Sequence, residues 1–143
     1  MVIPEGEIRA TTLPGLRLRA GAHTSTALRT EIAETKILIG ILTPASLESG
    51  WVMFELGAAW GANKPVLTVS VGIDYEFMPG PLKETNATDA ASRAELEQLF
   101  EEIRETLDFP KRRAGRQTEA LDELVEEAET YLDDDDEEDD EDE

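Results

Sequence analysis

At 143 residues the chain has room for one domain with its own core and a short tail. It has no cysteine and a single histidine, His23, which excludes a disulfide framework, a thiolate nucleophile, and a thiolate or histidine-rich metal site. The net charge is -20, and still -9 without the eleven consecutive acids that end the chain, which argues against nonspecific nucleic-acid binding.

No apolar stretch is long enough to span a membrane and no signal-peptide pattern opens the chain, so the expectation is a soluble, cytoplasmic protein without membrane contacts. Four lysines against nine arginines, on an acid-rich background, resemble the composition of proteins from salt-loving organisms.

In chain order, Glu7 to Thr12 reads as a short strand. Leu13-Pro14-Gly15 signals a turn, and the following residues to Thr24 form a loop rich in Gly and Arg. In that loop Arg17 and Arg19 alternate with Leu16 and Leu18. They are either two solvated arginines or a flap that brings positive charge to a phosphate or to a neighbouring subunit. Thr24 or Ser25 caps a helix to about Glu34, with Leu28, Ile32 and Ala33 toward the sheet.

Ile37 to Leu42 is a continuous apolar run, the pattern of a parallel strand buried on both faces. Thr43-Pro44 ends it, Ser46 to Gly50 make a loop, and Ser49 caps a helix over 50–60. Pro65 to Val71 is the next strand, with proline tolerated at its first position. Residues 72–81 are irregular, and Asn86 to Asp89 form a short last strand.

Ser92 opens a helix with capping-box spacing to Glu95 and a stripe of Leu96, Leu99, Phe100, Ile103 and Leu107. A basic linker follows, and then an amphipathic helix from Thr118 to Leu132 with Leu121, Leu124, Val125, Ala128 and Leu132 on one side. It packs on the domain or pairs with another chain. Residues 133–143 are expected to be a disordered, self-repelling acidic tail.

Glu55 is the one acid in an otherwise apolar helix, so a charge there needs a reason. Trp51 lies one turn before it on the same face. In open α/β sheets ligands bind beyond the carboxyl ends of the strands, where loop 13–21, loop 43–50 and the start of helix 50–60 meet. An aromatic beside a carboxylate there suits a flat ring or a sugar. The bland alternatives are that Glu55 bonds loop amides, that Trp51 and Trp60 are core residues, and that Ser46 and Ser49 are loop and cap residues. No histidine base lies near either serine, and no G-x-G-x-x-G follows a strand.

The stretch LTPASLESGWVMFELGAAWG resembles the third strand, following loop and third helix of bacterial Toll/interleukin-1 receptor (TIR) domains. Ser46, Ser49, Trp51, Glu55 and Leu56 match the family's serine-rich loop, aromatic residue and Glu-Leu pair, and the similarity runs from about Ile8 to Leu107. Pro14, Gly15 and Gly21 match the self-association loop after the family's second strand, and the Gly-Pro-Leu from Gly80 to Leu82 is also familiar.

The resemblance implies an α/β, flavodoxin-like three-layer parallel sheet over 1–109, then the linker and helix of 110–132, then the tail. It also implies a departure. The family begins with a strand and helix that this chain lacks, and that strand lies mid-sheet. The domain is therefore expected to be N-terminally incomplete: either the true start lies upstream, or strand 7–12 pairs directly with strand 36–42.

Three functions remain open. The first is NAD+ cleavage at the nicotinamide–ribose bond in antiviral defence. Glu55 is then catalytic, and Trp51, Ser49, Ser46, Arg17 and Arg19 bind the substrate. NAD+ is a substrate rather than a cofactor, no metal takes part, and the chain works as a homo-oligomer. The second is a non-catalytic module that self-associates through loop 13–21 and helix 50–60. The third is an enzyme on a related fold that uses a carboxylate on a sugar, such as a nucleoside deoxyribosyltransferase.

Overall fold

The computed structural model describes residues 7–8, 24–84, 87–110 and 115–138. Its centre is an all-parallel open sheet of three strands in the order β1-β2-β3: Leu38–Leu42, Val66–Ser70 and Thr88–Asp89. Leu38 to Leu42 pair in register with Val66 to Ser70, and Val69 and Ser70 with Thr88 and Asp89. Six helices are seen among the described residues: α1 (Thr24–Glu34), α2 (Pro44–Leu47), α3 (Gly50–Gly61), α4 (Gly80–Lys83), α5 (Arg93–Thr106) and α6 (Gly115–Glu138). None of them is long and apolar enough to cross a membrane.

The two faces of the sheet carry separate cores. Leu42 and Leu56 pack with Met78 and Leu82 on one face, with Leu38, Val52 and Val66 around them. Ile32 of α1 and Ala59 of α3 join that side through Leu38 and Val66. The other face is built by Leu96, Leu99 and Ile103 of α5 with Leu121 of α6, against Ile37, Leu67 and Val69. The apolar spacing of α5 thus lies against the sheet as its stripe predicts.

Helix α6 packs on the domain through Leu121, which is 2% exposed, and Ala128 is also buried. Removing a leucine side chain from water stabilises by roughly 1.5–3 kcal/mol. An ion pair from Arg93 to Asp122 ties α5 to α6 near the same contact. At the far end of α5, Arg104 donates to the Phe109 carbonyl at 3.1 Å and to Glu101 at 2.6 Å. The bond to Glu101 raises the Arg104 pKa still further, so the side chain stays charged at any working pH.

Several expectations change. β1 is buried on one face only, with Ile39 43% and Ile41 65% exposed. The reason is its place in the sheet: among the described residues β1 is the outermost strand, and α5 covers β2 rather than reaching past it. Loop 46–50 is preceded and partly replaced by the single turn α2, because Thr43 and Ser46 form a reciprocal cap and Pro44 sits where no amide is required. The irregular stretch after β2 contains a short 3-10 turn, Tyr75–Phe77, and α4. The last strand is two residues long rather than four.

Ser92 is the N-cap of α5 but makes no side-chain cap bond. Glu95 instead accepts from the Asp89 N–H at 2.7 Å, which fastens β3 to α5. α6 begins earlier and ends later than Thr118 to Leu132, running through Glu138 into the acidic segment expected to be disordered. Of the strand expected at 7–12, Glu7 lies in a 3-10 turn and Ile8 in no regular element, while 9–12 fall outside the described residues.

Candidate functional site

The loop between β1 and α3 lies at the carboxyl end of β1 and is rigid for a local reason. Thr43 Oγ1 accepts from the Ser46 N–H at 3.2 Å, and Ser46 Oγ accepts from the Thr43 N–H at 2.8 Å. The Ser46 hydroxyl also donates to the Thr43 carbonyl at 2.9 Å. Its donor and one acceptor site are therefore occupied by the cap. Ser49 is the N-cap of α3, accepting from the Val52 N–H at 3.4 Å, a long bond. The amides of Gly50 and Trp51 have no partner among the described residues.

Glu55 sits on α3 one turn beyond Trp51. It is half-buried, and its Oε1 is shut off from solvent. Trp51 is 43% exposed, so it is not a core residue. Its ring partner is Phe54 at 5.9 Å between centroids, tilted by 34°. Phe54 is 55% exposed and was missed from the sequence, although its i,i+3 spacing from Trp51 was the available signal. Trp60, 73% exposed, is likewise not a core residue.

The structure thus brings Ser46, Ser49, Trp51 and Glu55 together on one short loop–helix unit. Leu56, next to the acid, turns inward and anchors α3 to the sheet. The remaining sequence-derived positions, Arg17, Arg19, Pro14, Gly15 and Gly21, lie outside the described residues, as does His23.

Shallow depressions occur elsewhere. One of about 390 Å³ lies on α6 beside Glu123, Glu126, Glu127 and Thr130. One of about 500 Å³ lies beside Trp60, Asn63, Lys64 and Pro65. Neither includes Glu55, and the chemistry on α3 outweighs the hollows in choosing the site. Among the described residues no cluster of His, Asp and Glu has the geometry to hold a metal ion. No family model matches the sequence, and no curated protein matches it.

Proposed function

We propose that the chain is a TIR-like NAD+ glycohydrolase and that its three strands are one half of a flavodoxin-like sheet. The observation that carries this reading is Glu55: a half-buried carboxylate on the helix after β1, one turn from an exposed Trp51, at the ligand-binding end of a parallel sheet.

A single carboxylate is enough for this chemistry. The nicotinamide of NAD+ is a cationic pyridinium, so the C–N bond breaks with its electron pair going to the ring and the leaving group departs neutral. The ribose becomes oxocarbenium-like. Glu55 orients the ribose hydroxyls and stabilises the positive charge as it forms. Water adds to the anomeric carbon, giving ADP-ribose, nicotinamide and a proton. Trp51 offers a flat surface to one ring, and Ser49 with the amides of Gly50 and Trp51, which have no partner among the described residues, offers polar contacts. Arg17 and Arg19 are the proposed phosphate ligands. NAD+ is the small-molecule partner, and assembly of several copies through TIR-like contacts completes the site.

The test is nicotinamide release by the full chain at high protein concentration. Release that is lost in Glu55→Ala while the circular dichroism spectrum is kept supports the reading. Release unchanged in Glu55→Ala removes it.

A second reading is favoured by the outer face of α3. Trp51, Phe54 and Trp60 are exposed there with Gly50, Gly57 and Gly61, and no charge interrupts them. An uncharged aromatic surface of this kind suits self-association without turnover. No nicotinamide release from a folded, oligomeric wild type selects it.

A further inference from the structure

Helices α1 and α3 run side by side in the same direction on one face of the sheet. Each ends where a strand begins, α1 at Glu34 before β1 and α3 at Gly61 before β2, and those two strands are parallel. Two contacts fix how the helices are levelled. Ile32 of α1 packs with Ala59 of α3, with Ala58, Leu38 and Val66 around them. Just beyond α3, Lys64 Nζ donates to the Ala33 carbonyl of α1 at 2.6 Å. One turn back from Ile32 on the same face of α1 is Arg29, and one turn back from Ala58 and Ala59 on α3 is Glu55. Arg29 and Glu55 therefore stand level with each other, one turn nearer the carboxyl end of the sheet than the Ile32 contact.

Arg29 is exposed and makes no hydrogen bond or ion pair among the described residues. The other cations whose side chains are described are engaged or elsewhere. Lys64 and Lys83 donate to carbonyls, and Arg93 and Arg104 pair with acids. Lys36 precedes β1 at the amino end of the sheet. A guanidinium held by no acid is open to an anionic ligand, and its planar fork fits a phosphate with two bonds.

From this level pairing we infer that Arg29 is a substrate-binding residue of the site on α3, taking the 5′-phosphate of the same ribose whose anomeric carbon Glu55 serves. The inference rests on the hydrolase reading above and adds a specificity to it: the site selects a nicotinamide ribose that carries a 5′-phosphate over the bare nucleoside. Such a ligand has its hydroxyls and anomeric carbon at one end and its negative charge at the other. A carboxylate beside that charge would repel it, so the acid and the cation belong on opposite walls. Adjacent helices supply those walls, with axes about 8–10 Å apart. Arg29 makes and breaks no bond in the reaction; it binds and orients.

The experiment compares NAD+ with nicotinamide riboside, which has the same scissile bond and no phosphate, by nicotinamide release from the full chain. Calorimetry of ADP-ribose binding gives a readout that does not need turnover. Arg29→Ala is expected to lower kcat/KM for NAD+ about 10–100-fold, mostly through KM, and to change that for the riboside by no more than about twofold. ADP-ribose affinity falls by a similar factor, and Arg29→Lys recovers part of both losses. Lys36→Ala makes the same change in net charge at the other end of the sheet and leaves all three values as they are. Both side chains are exposed, so the variants keep the fold, which circular dichroism checks. An unchanged kcat/KM for NAD+ in Arg29→Ala overturns the inference, as does an equal loss for NAD+ and the riboside. ADP-ribose binding that ignores Arg29→Ala, or weakens equally in Lys36→Ala, overturns it too. A wild type that releases no nicotinamide but binds ADP-ribose through Arg29 removes the hydrolase reading and keeps the phosphate site. A wild type that does neither overturns both.

Discussion

Gly40 decides how closely α3, and with it Glu55, approaches the sheet. A Cβ placed on Gly40 would stand 2.7 Å from Leu56 Cδ2 and 3.7 Å from Leu56 Cγ. Carbon atoms are comfortable at about 3.5–4.0 Å, so one of the two groups must move by close to an ångström. Leu56 cannot simply turn aside, because it is buried among Leu42, Met78 and Leu82.

Two effects oppose each other in Gly40→Ala. Loss of glycine's freedom in the unfolded chain stabilises by roughly 0.4–1 kcal/mol. Overpacking costs about 1–3 kcal/mol. The expected net is a loss of about 1–2 kcal/mol by that difference. Leu56→Ala alone costs about 2–5 kcal/mol through lost burial and a cavity. In the double variant the new methyl group occupies part of that cavity and meets no leucine, so the two losses do not add. The double variant should be more stable than their sum by about 1–2 kcal/mol, outside the roughly 0.3–0.5 kcal/mol scatter of independent sites. Urea titration of the four proteins followed by circular dichroism measures this. Additive losses, or a Gly40→Ala protein more stable than wild type, would refute the proposed contact between strand and helix.

Other outcomes follow from the same structure. Ser46→Ala removes both bonds of the Ser46 hydroxyl to the Thr43 backbone, while Thr43 Oγ1 still accepts from the residue 46 N–H, and should cost about 1 kcal/mol in urea titration; Ser49→Ala, whose bond to Val52 is long, should cost about 0.5 kcal/mol. Leu121→Ala should cost about 2–5 kcal/mol and speed hydrogen exchange throughout α6 while leaving the amides of β2 slow. The last turns of α6 place acids at the negative end of a helix dipole, so helical signal at 222 nm should rise with salt in the full chain, and a chain ending at residue 132 should lack that response. Under the enzymatic reading, Trp51→Ala should raise KM for NAD+ more than it lowers kcat, whereas Glu55→Gln should lower kcat.

Element types were legible where the local pattern admits one answer. Ile37 to Leu42 and Pro65 to Val71 are too short and too apolar for surface helices, and Ser49 before an apolar run marks the start of α3. The spacing of Leu96, Leu99 and Ile103 identified the buried side of α5, because a helix that must cover a sheet needs one such stripe. Glu55 stood out for a similar reason, as a charge with no place in the periodicity around it.

Position in the sheet could not be read this way. Ile39 and Ile41 look the same in an edge strand as in a central one, because hydropathy records what a side chain tolerates and not which neighbours reach it. Glu95 shows the same limit for polar groups: its spacing from Ser92 fits a capping box, yet the Asp89 amide, brought near by the β3–α5 turn, takes the carboxylate instead. The outward turn of Trp51 and Phe54 likewise arises from Leu56 and Ala59 taking the inward face. The sequence by itself determined the kinds and order of the longer elements, α1, β1, α3, β2, α5 and α6, and the one anomalous acid, all of which depend on neighbours within a few residues; the short turns α2 and α4 were not among them. Only the tertiary structure decided the order of the described strands and which aromatics face water, because both depend on contacts between segments far apart in the chain.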